Sequence, residues 1–335
     1  MYKMSVPIIQ GGMGVGISMG SLAGAVAAEG GMGVISTANI GFREKDFWSN
    51  PQEANCRALE KEIRRAREIS DGKGLIAVNA MVATKNFAEM VKVAVKSGID
   101  AVISGAGLPL NLPDLVDDKT LIAPIVSGKR AASLLMRTWK SKHGRSPDFL
   151  VVEGSKAGGH LGFKKEELIE GRESKLEDII SDVTSVAMGI SVFGAGGIFD
   201  SEDIKTIKDR GAAGVQIATR FIATQECDAS QGYKDRILSA KSEDVKIITS
   251  PVGMPGRALN SPLIKRISKQ LRIAPKRCID CIITCNPGTT PYCINAALIA
   301  GFHGDWENGL FFTGSNVGRI NEMTTVKDLI KELDR

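Results

Sequence analysis

The feature that most limits what this chain can fold into is a repeated change of hydrophobic period. Short, continuously apolar runs occupy residues 6–9, 33–36, 75–79, 101–104, 121–126, 149–153, 191–194 and 214–218. Between them lie longer runs at 21–29, 53–70, 86–97, 112–117, 129–142, 177–188 and 201–210. There the apolar residues return every three or four positions, as in Phe87, Val91 and Val95 or Ile204 and Ile207, which is the period of a helix with one buried face. Strands apolar at every position must be covered on both sides, so the alternation predicts a parallel sheet wrapped by helices. About eight such units fit an α/β (β/α)8 TIM barrel, which takes roughly 250 residues. A doubly wound open sheet is the competitor, invited by Gly11-Gly12-Met13-Gly14-Val15-Gly16 after the first run. The dinucleotide-binding register fails there, because Met13 or Ile17 falls where a glycine is required.

After residue 218 the rhythm weakens. A helix is expected at 233–240, and from Pro251 onward the chain is punctuated by Pro255, Pro262, Pro275, Pro287 and Pro291. Residues 1–250 therefore read as the barrel, and 251–335 as a C-terminal extension packed on it without a core of its own. The 37 glycines among 335 residues are spread through apolar segments, which suits many tight strand–helix turns rather than disorder. A net charge of +5 comes without a Lys/Arg run interleaved with aromatics, which argues against a nucleic-acid partner. The small-residue stretch at 22–35 carries Glu29 and is neither a leader nor a membrane span. Six cysteines without a secretory leader point to a reducing cytoplasm. The oligomeric state stays open, with a homodimer among the options.

The chemistry is expected where strands end, because a parallel barrel keeps its working residues at the C-terminal ends of its strands. The run ending in Glu153 leads through Gly154-Ser155-Lys156-Ala157-Gly158-Gly159 into His160, one of only three histidines. Glycines there let the backbone approach a ligand closely. The seventh run ends in Gly194-Ala195-Gly196-Gly197, before a helix opened by Asp200-Ser201. The eighth ends in Gln216-Ile217-Ala218-Thr219-Arg220. Backbone N–H groups of these two turns are placed to share one phosphate; otherwise they are tight turns, and Arg220 is a surface ion-pair partner. Gln10 to Gly14 and Asn79 point into the same mouth. The Asn79 amide offers a donor and an acceptor, which suits a heterocycle edge as well as a plain cap. His143, ending a basic helix, and His303, in a Gly-rich turn, read as structural.

Taken together, Pro7 to Gly14, Val78-Asn79, Glu153-Gly154 through Gly158-Gly159-His160, Gly196-Gly197-Ile198 and Gln216 to Phe221 resemble the nitronate monooxygenases, also called 2-nitropropane dioxygenases. These FMN-dependent barrels are related to flavin-type enoyl-acyl-carrier-protein reductases. The resemblance covers residues 6 to about 260. It implies FMN contacts at Gly11, Gly12, Met13, Asn79, Glu153, Gly158, Gly197, Gln216, Ile217, Ala218 and Thr219, with His160 facing the substrate as the catalytic residue. It implies oxidation of alkyl nitronates by oxygen to carbonyl compounds and nitrite, with His160, near a pKa of roughly 6.5, taking the α-proton of a neutral nitroalkane or favouring the anion. The alternatives are an NAD(P)H-dependent enoyl-acyl-carrier-protein reductase, a quinone reductase and a non-catalytic flavin binder. Two positions depart from the family pattern. Glu153 stands where glutamine is frequent, so a carboxylate would accept but not donate, and Ala218 stands where glycine is frequent.

Cys278, Cys281, Cys285 and Cys293 lie outside the matched region, in the spacing C-x2-C-x3-C-x7-C. On a helix the first three would share one face. Four thiolates could hold zinc or an iron–sulfur cluster, a spacing also similar to the cluster cysteines of flavin-dependent dienoyl-CoA reductases. Apolar Ile279, Ile282 and Ile283 favour simple packing instead.

Overall fold

Strand β1 (Ile8–Gln10) hydrogen-bonds on one side to β2 (Met32–Ser36) and on the other to β9 (Gly214–Ile217), which closes the sheet. Between them run β3 (Leu75–Met81), β4 (Ala101–Gly105), β5 (Leu121–Val126), β6 (Phe149–Glu153) and β8 (Ser191–Ala195), all parallel; the two-residue β7 (Gly159–His160) lies outside the barrel. A computed structural model describes residues 4–335 of the chain in this form. It is the eight-stranded barrel that the sequence pattern predicts.

The strands are apolar throughout because they are buried twice. Ile9, Val34, Ala77, Ile103, Phe149, Val151 and Phe193 meet in the barrel interior, where the Phe149 and Phe193 rings cross edge-on at 5.5 Å. Their neighbours Ile8, Ile35, Ile76, Val102, Leu150, Val152 and Val192 turn outward into the larger cluster under the helices. That is the period-2 alternation of a strand, with both faces apolar. Each fully buried side chain of this size contributes about 1.5–3 kcal/mol over its exposed state.

Every expected strand boundary lies within two residues of the observed one. The run at 112–117 forms only a 3-10 turn, Leu112–Leu115, with Pro113 removing a backbone donor. The helix expected over 177–188 stops at Thr184, and the chain then reverses through left-handed Met188 and Gly189. A helix at Lys165–Glu170 went unread.

The largest addition lies beyond the barrel. Strands β10 (Val245–Thr249) and β11 (Pro255–Leu259) form an antiparallel hairpin that straddles residue 250. Strand β11 also pairs with β7, Gly256 opposite His160 and Arg257 opposite Gly159. Helices Pro262–Ser268, Ile294–Phe302 and Val326–Leu333 follow. The last buries Val326, Leu329, Ile330 and Leu333, one stripe at helical spacing. Cys278, Cys281 and Cys285 do not share a helix face; the segment between Ser268 and Ile294 is irregular, held by a bridge from Ile282 to Thr84, an ion pair from Asp280 to Lys85 and a hydrogen bond from Thr284 to the Val252 carbonyl. Among the described residues no helix is long and apolar enough to cross a membrane.

The helix Gly20–Ala28 begins without a cap from Met19. Two distant carboxylates serve its free amides instead. Asp228, beyond β9, accepts from the N–H groups of Met19 (2.9 Å) and Leu22 (3.1 Å), and Glu62 accepts from Gly20 (2.9 Å). Asp228→Ala strands two buried donors, so we expect a loss of about 1–3 kcal/mol. Urea unfolding checks this: the midpoint should fall with the slope unchanged, and an unmoved midpoint contradicts the assignment.

Candidate active site

Closing a parallel sheet sends all its strand ends to one rim, and the turns that follow them enclose an open-mouthed cavity of about 1470 Å³ counted to its solvent edge. Every flavin or substrate contact that the resemblance implies lines it: Gly11, Gly12 and Met13 after β1, Asn79 near the end of β3, Glu153 at the end of β6, Gly158 and His160 in the next turn, Gly197 after β8, and Gln216, Ile217, Ala218 and Thr219 from β9 onward. The first turn is fixed from below by buried Gln10, whose side-chain amide donates to the Gly11 carbonyl and whose Oε1 accepts from the Val34 N–H at 3.0 Å. The Met13 N–H donates to Ser18 Oγ at 2.7 Å. Gln216 Oε1 lies buried in the cavity wall without a hydrogen-bond partner. Such a group carries an appreciable cost unless a ligand satisfies it.

His160 is placed by the pairing of β7 with β11 rather than by the barrel itself. Its Nε2 lies 2.8 Å from Ser250 Oγ, and its ring meets Phe312 edge-on at 5.2 Å. Burial among these groups lowers its pKa to about 4. The expected value near 6.5 is therefore corrected: desolvation disfavours the charged ring, and His160 is neutral across the physiological range.

Glu153 is corrected in the opposite sense. Burial raises its pKa to about 8, outweighing the attraction of Arg257. Below that pH it is a carboxylic acid, with one O–H to donate as well as a carbonyl to accept. The departure from glutamine at this position is thus smaller chemically than the sequence implies.

Several parts of the site were not read from the sequence. Arg257, from β11, is buried and donates through Nη1 to the carbonyls of Ser155 and Ala157, the latter at 2.8 Å. It holds the turn that carries Gly158. The segment after Phe312 then ties the rim together. The Gly314 N–H donates to Thr219 Oγ1 (2.9 Å), the Ser315 N–H to the Lys156 carbonyl (3.1 Å), and Asn316 Nδ2 to the Gly197 carbonyl (2.6 Å). Tyr233 donates to the Phe312 carbonyl at 3.0 Å. The signal was present: apolar 310–312 running into Thr313-Gly314-Ser315-Asn316 repeats the pattern of the barrel's own strand ends.

The remaining candidates are structural. His143 closes helix Lys129–His143, with Nδ1 2.7 Å from Asp114 Oδ1 and Nε2 3.0 Å from the Leu110 carbonyl. His303 follows the helix Ile294–Phe302 as its cap. Arg220 lines the cavity rim and is also an ion-pair partner, gripping Glu332 through both Nη atoms at 2.7 and 3.0 Å.

A methyl group at Gly158 would sit 2.4 Å from the Thr313 carbonyl carbon and 2.6 Å from the Gly314 nitrogen, both backbone atoms. Gly158→Ala must therefore push the turn off the 313–314 segment, at about 1–3 kcal/mol. Thermal unfolding should show a lowered midpoint with the far-ultraviolet spectrum preserved; wild-type stability would mean the two segments do not touch.

Known proteins resemble the chain over its whole length. A family model described as nitronate monooxygenase matches residues 1–335. A probable nitronate monooxygenase of Staphylococcus aureus is 25% identical over 297 residues, covering 80% of this chain and 79% of that protein. The (3aS,4S,5R,7aS)-5-hydroxy-7a-methyl-1-oxo-octahydro-1H-indene-4-carboxyl-CoA dehydrogenase of Mycobacterium tuberculosis is 26% identical over 272 residues, covering 79% of this chain and 66% of that protein. Among solved structures, FabK from Thermotoga maritima superposes with a TM-score of 0.78 at 26% identity, over 99% of this chain and 92% of that one. With a matching model across every residue and a barrel whose rim gathers the motif residues, the chain belongs to the nitronate monooxygenase family of oxidoreductases.

Proposed function

We propose that this protein is an FMN-dependent oxidoreductase that converts alkyl nitronates, and nitroalkanes it first deprotonates, to carbonyl compounds and nitrite with oxygen. The observation that carries the reading is a neutral imidazole, His160, held in the wall of a cavity whose glycine turns and unpaired Gln216 Oε1 suit a planar, phosphate-bearing ligand. The residues fit FMN. Asn79, protonated Glu153 and Gln216 offer the mixed donors and acceptors that a flavin's pyrimidine edge needs. The turns at Gly197 and Thr219 offer backbone N–H groups for its phosphate, and Lys156 adds positive charge at the rim. Bound there, FMN would supply the electron acceptor and the site at which oxygen is used.

The protein's own part is proton handling and placement. With its pKa lowered to about 4, His160 is neutral throughout the neutral range, and in the tautomer whose Nε2 donates to Ser250 Oγ its Nδ1 lone pair can take a proton from a carbon acid. It cannot stabilise an anion by charge, so of the two roles open from the sequence the base is favoured. Ser250 fixes the ring orientation, and Phe312 shields it from water. The proposed partners are a small-molecule substrate and oxygen. The proposed location is the cytoplasm, where unpaired thiols persist. A homodimer is the assembly to test by light scattering.

A reductase is the second reading, favoured by the likeness to FabK and to a carboxyl-CoA dehydrogenase. It would use NAD(P)H to reduce an enoyl thioester or a quinone. Nitrite release with oxygen uptake from a nitronate, without NAD(P)H, supports the first reading; NAD(P)H oxidation dependent on an enoyl thioester or quinone would replace it.

Two further outcomes follow. His160→Asn should keep its FMN and lose about 10²–10⁴-fold in kcat/KM on neutral nitroalkanes, with a much smaller loss on preformed nitronates. Equal losses would assign His160 to orientation instead. The pH profile for a neutral nitroalkane should rise through about pH 4 as His160 loses its proton, stay flat through pH 6.5, and bend near pH 8 as Glu153 ionises. Glu153→Gln, which cannot ionise, should remove the upper bend alone. An inflection near 6.5 would contradict the burial of His160.

A further inference from the structure

Of the six cysteines, all free thiols, only Cys227 is fully buried. Cys278, Cys281, Cys285 and Cys293 instead converge on a second cavity, about 440 Å³ to its solvent edge, that shares no lining residue with the first. Cys281 lies within electrostatic reach of Cys278 and Cys293, and Cys293 within reach of Cys285. Packing alone does not account for this arrangement. A cysteine acting as a small hydrophobe is enclosed, yet Cys278 is exposed and the other three are only half-buried.

Three independent observations point to a ligand among the four thiols. The first is Asn295, in the wall of the same cavity and 1% exposed, whose side-chain oxygen and nitrogen both lack hydrogen-bond partners. A buried amide left this way is costly unless a bound group satisfies it. The second is the chain between Ser268 and Ile294, which has no helix or strand although its ends are anchored. Beside its bridge to Thr84 and the Asp280–Lys85 ion pair, a metal would close several loops of this long irregular stretch at once. The third is local backbone geometry. The Asp280 N–H donates to Cys278 Sγ at 3.3 Å, and Cys293 stands at the N-cap of helix Ile294–Phe302. Both arrangements aim backbone N–H groups at sulfur.

We propose that Cys278, Cys281, Cys285 and Cys293 bind a cubane iron–sulfur cluster. Zinc sites with four thiolates are built from two closely spaced pairs, whereas here three cysteines fall close together and the fourth stands apart, as cluster ligands do. Among the described residues no three potential ligands already stand at metal-binding geometry, so the thiols must turn about χ1 onto the cluster. Apolar residues around Cys281 and Cys285, Ile282 and Ile294 among them, form its inner wall.

The test uses the full-length protein purified without exposure to air, with iron, zinc and acid-labile sulfide measured per chain. These readouts are independent of flavin absorption and of the proposed reaction. About four irons and about four sulfides per chain are expected. Both should be lost in Cys281→Ser and in Cys285→Ser and retained in Cys56→Ser, a thiol remote in sequence on helix Pro51–Ser70. If either variant fails to fold, Cys278→Ser at the exposed position gives the same reading, with circular dichroism confirming the fold. Wild-type protein with stoichiometric zinc, with neither metal, or with iron that survives both Cys278→Ser and Cys281→Ser would overturn the assignment.

Discussion

The working end of this protein hangs on one buried cation. Arg257 sits in β11 opposite Gly159, so its backbone belongs to the small sheet that places His160 while its guanidinium reaches under the preceding turn to the Ser155 and Ala157 carbonyls. One residue thereby fixes the direction of the chain between Glu153 and His160. A buried guanidinium is expensive to desolvate, and burial correspondingly lowers its own pKa. Its charge also pulls the Glu153 pKa down, without overcoming the burial that holds Glu153 protonated. Replacing it would strand two carbonyls and release the turn together.

From that anchor the rest follows in layers. Parallel closure gathers the strand ends at one rim; the hairpin of β10 and β11 and the segment after Phe312 then roof one side of that rim. The roof buries His160 and Glu153, and that burial sets their protonation states. An imidazole and a carboxyl that would both be charged at mildly acidic pH in water are both neutral here.

The barrel was legible because its strands are apolar on both faces, a pattern that Phe149 to Val152 shows without interruption and that few other folds impose. The cavity residues were legible because glycines and polar residues fall at the ends of those same strands. The roof was not. Pro251, Pro255 and Pro262 break the β10–β11 region into pieces too short to carry a period, and β7 is only two residues long. The pKa values of His160 and Glu153 were equally hidden. They depend on Ser250, Phe312 and Arg257, each about a hundred residues or more away in sequence, and local pattern holds no record of such contacts. The shape of the segment from Cys278 to Cys285 was not legible either, because the spacing of three thiols says which face they would share on a helix, and nothing about whether a helix forms.

The central claim is that the roofed rim holds a flavin which accepts electrons from a nitronate beside His160. It is tested most directly by mixing FMN-loaded protein with an alkyl nitronate in the absence of oxygen and following the flavin absorbance. The account predicts prompt bleaching or conversion to a one-electron-reduced spectrum by the nitronate, with no comparable change from NADH or NADPH. A flavin left oxidised by the nitronate but bleached by a pyridine nucleotide would contradict it.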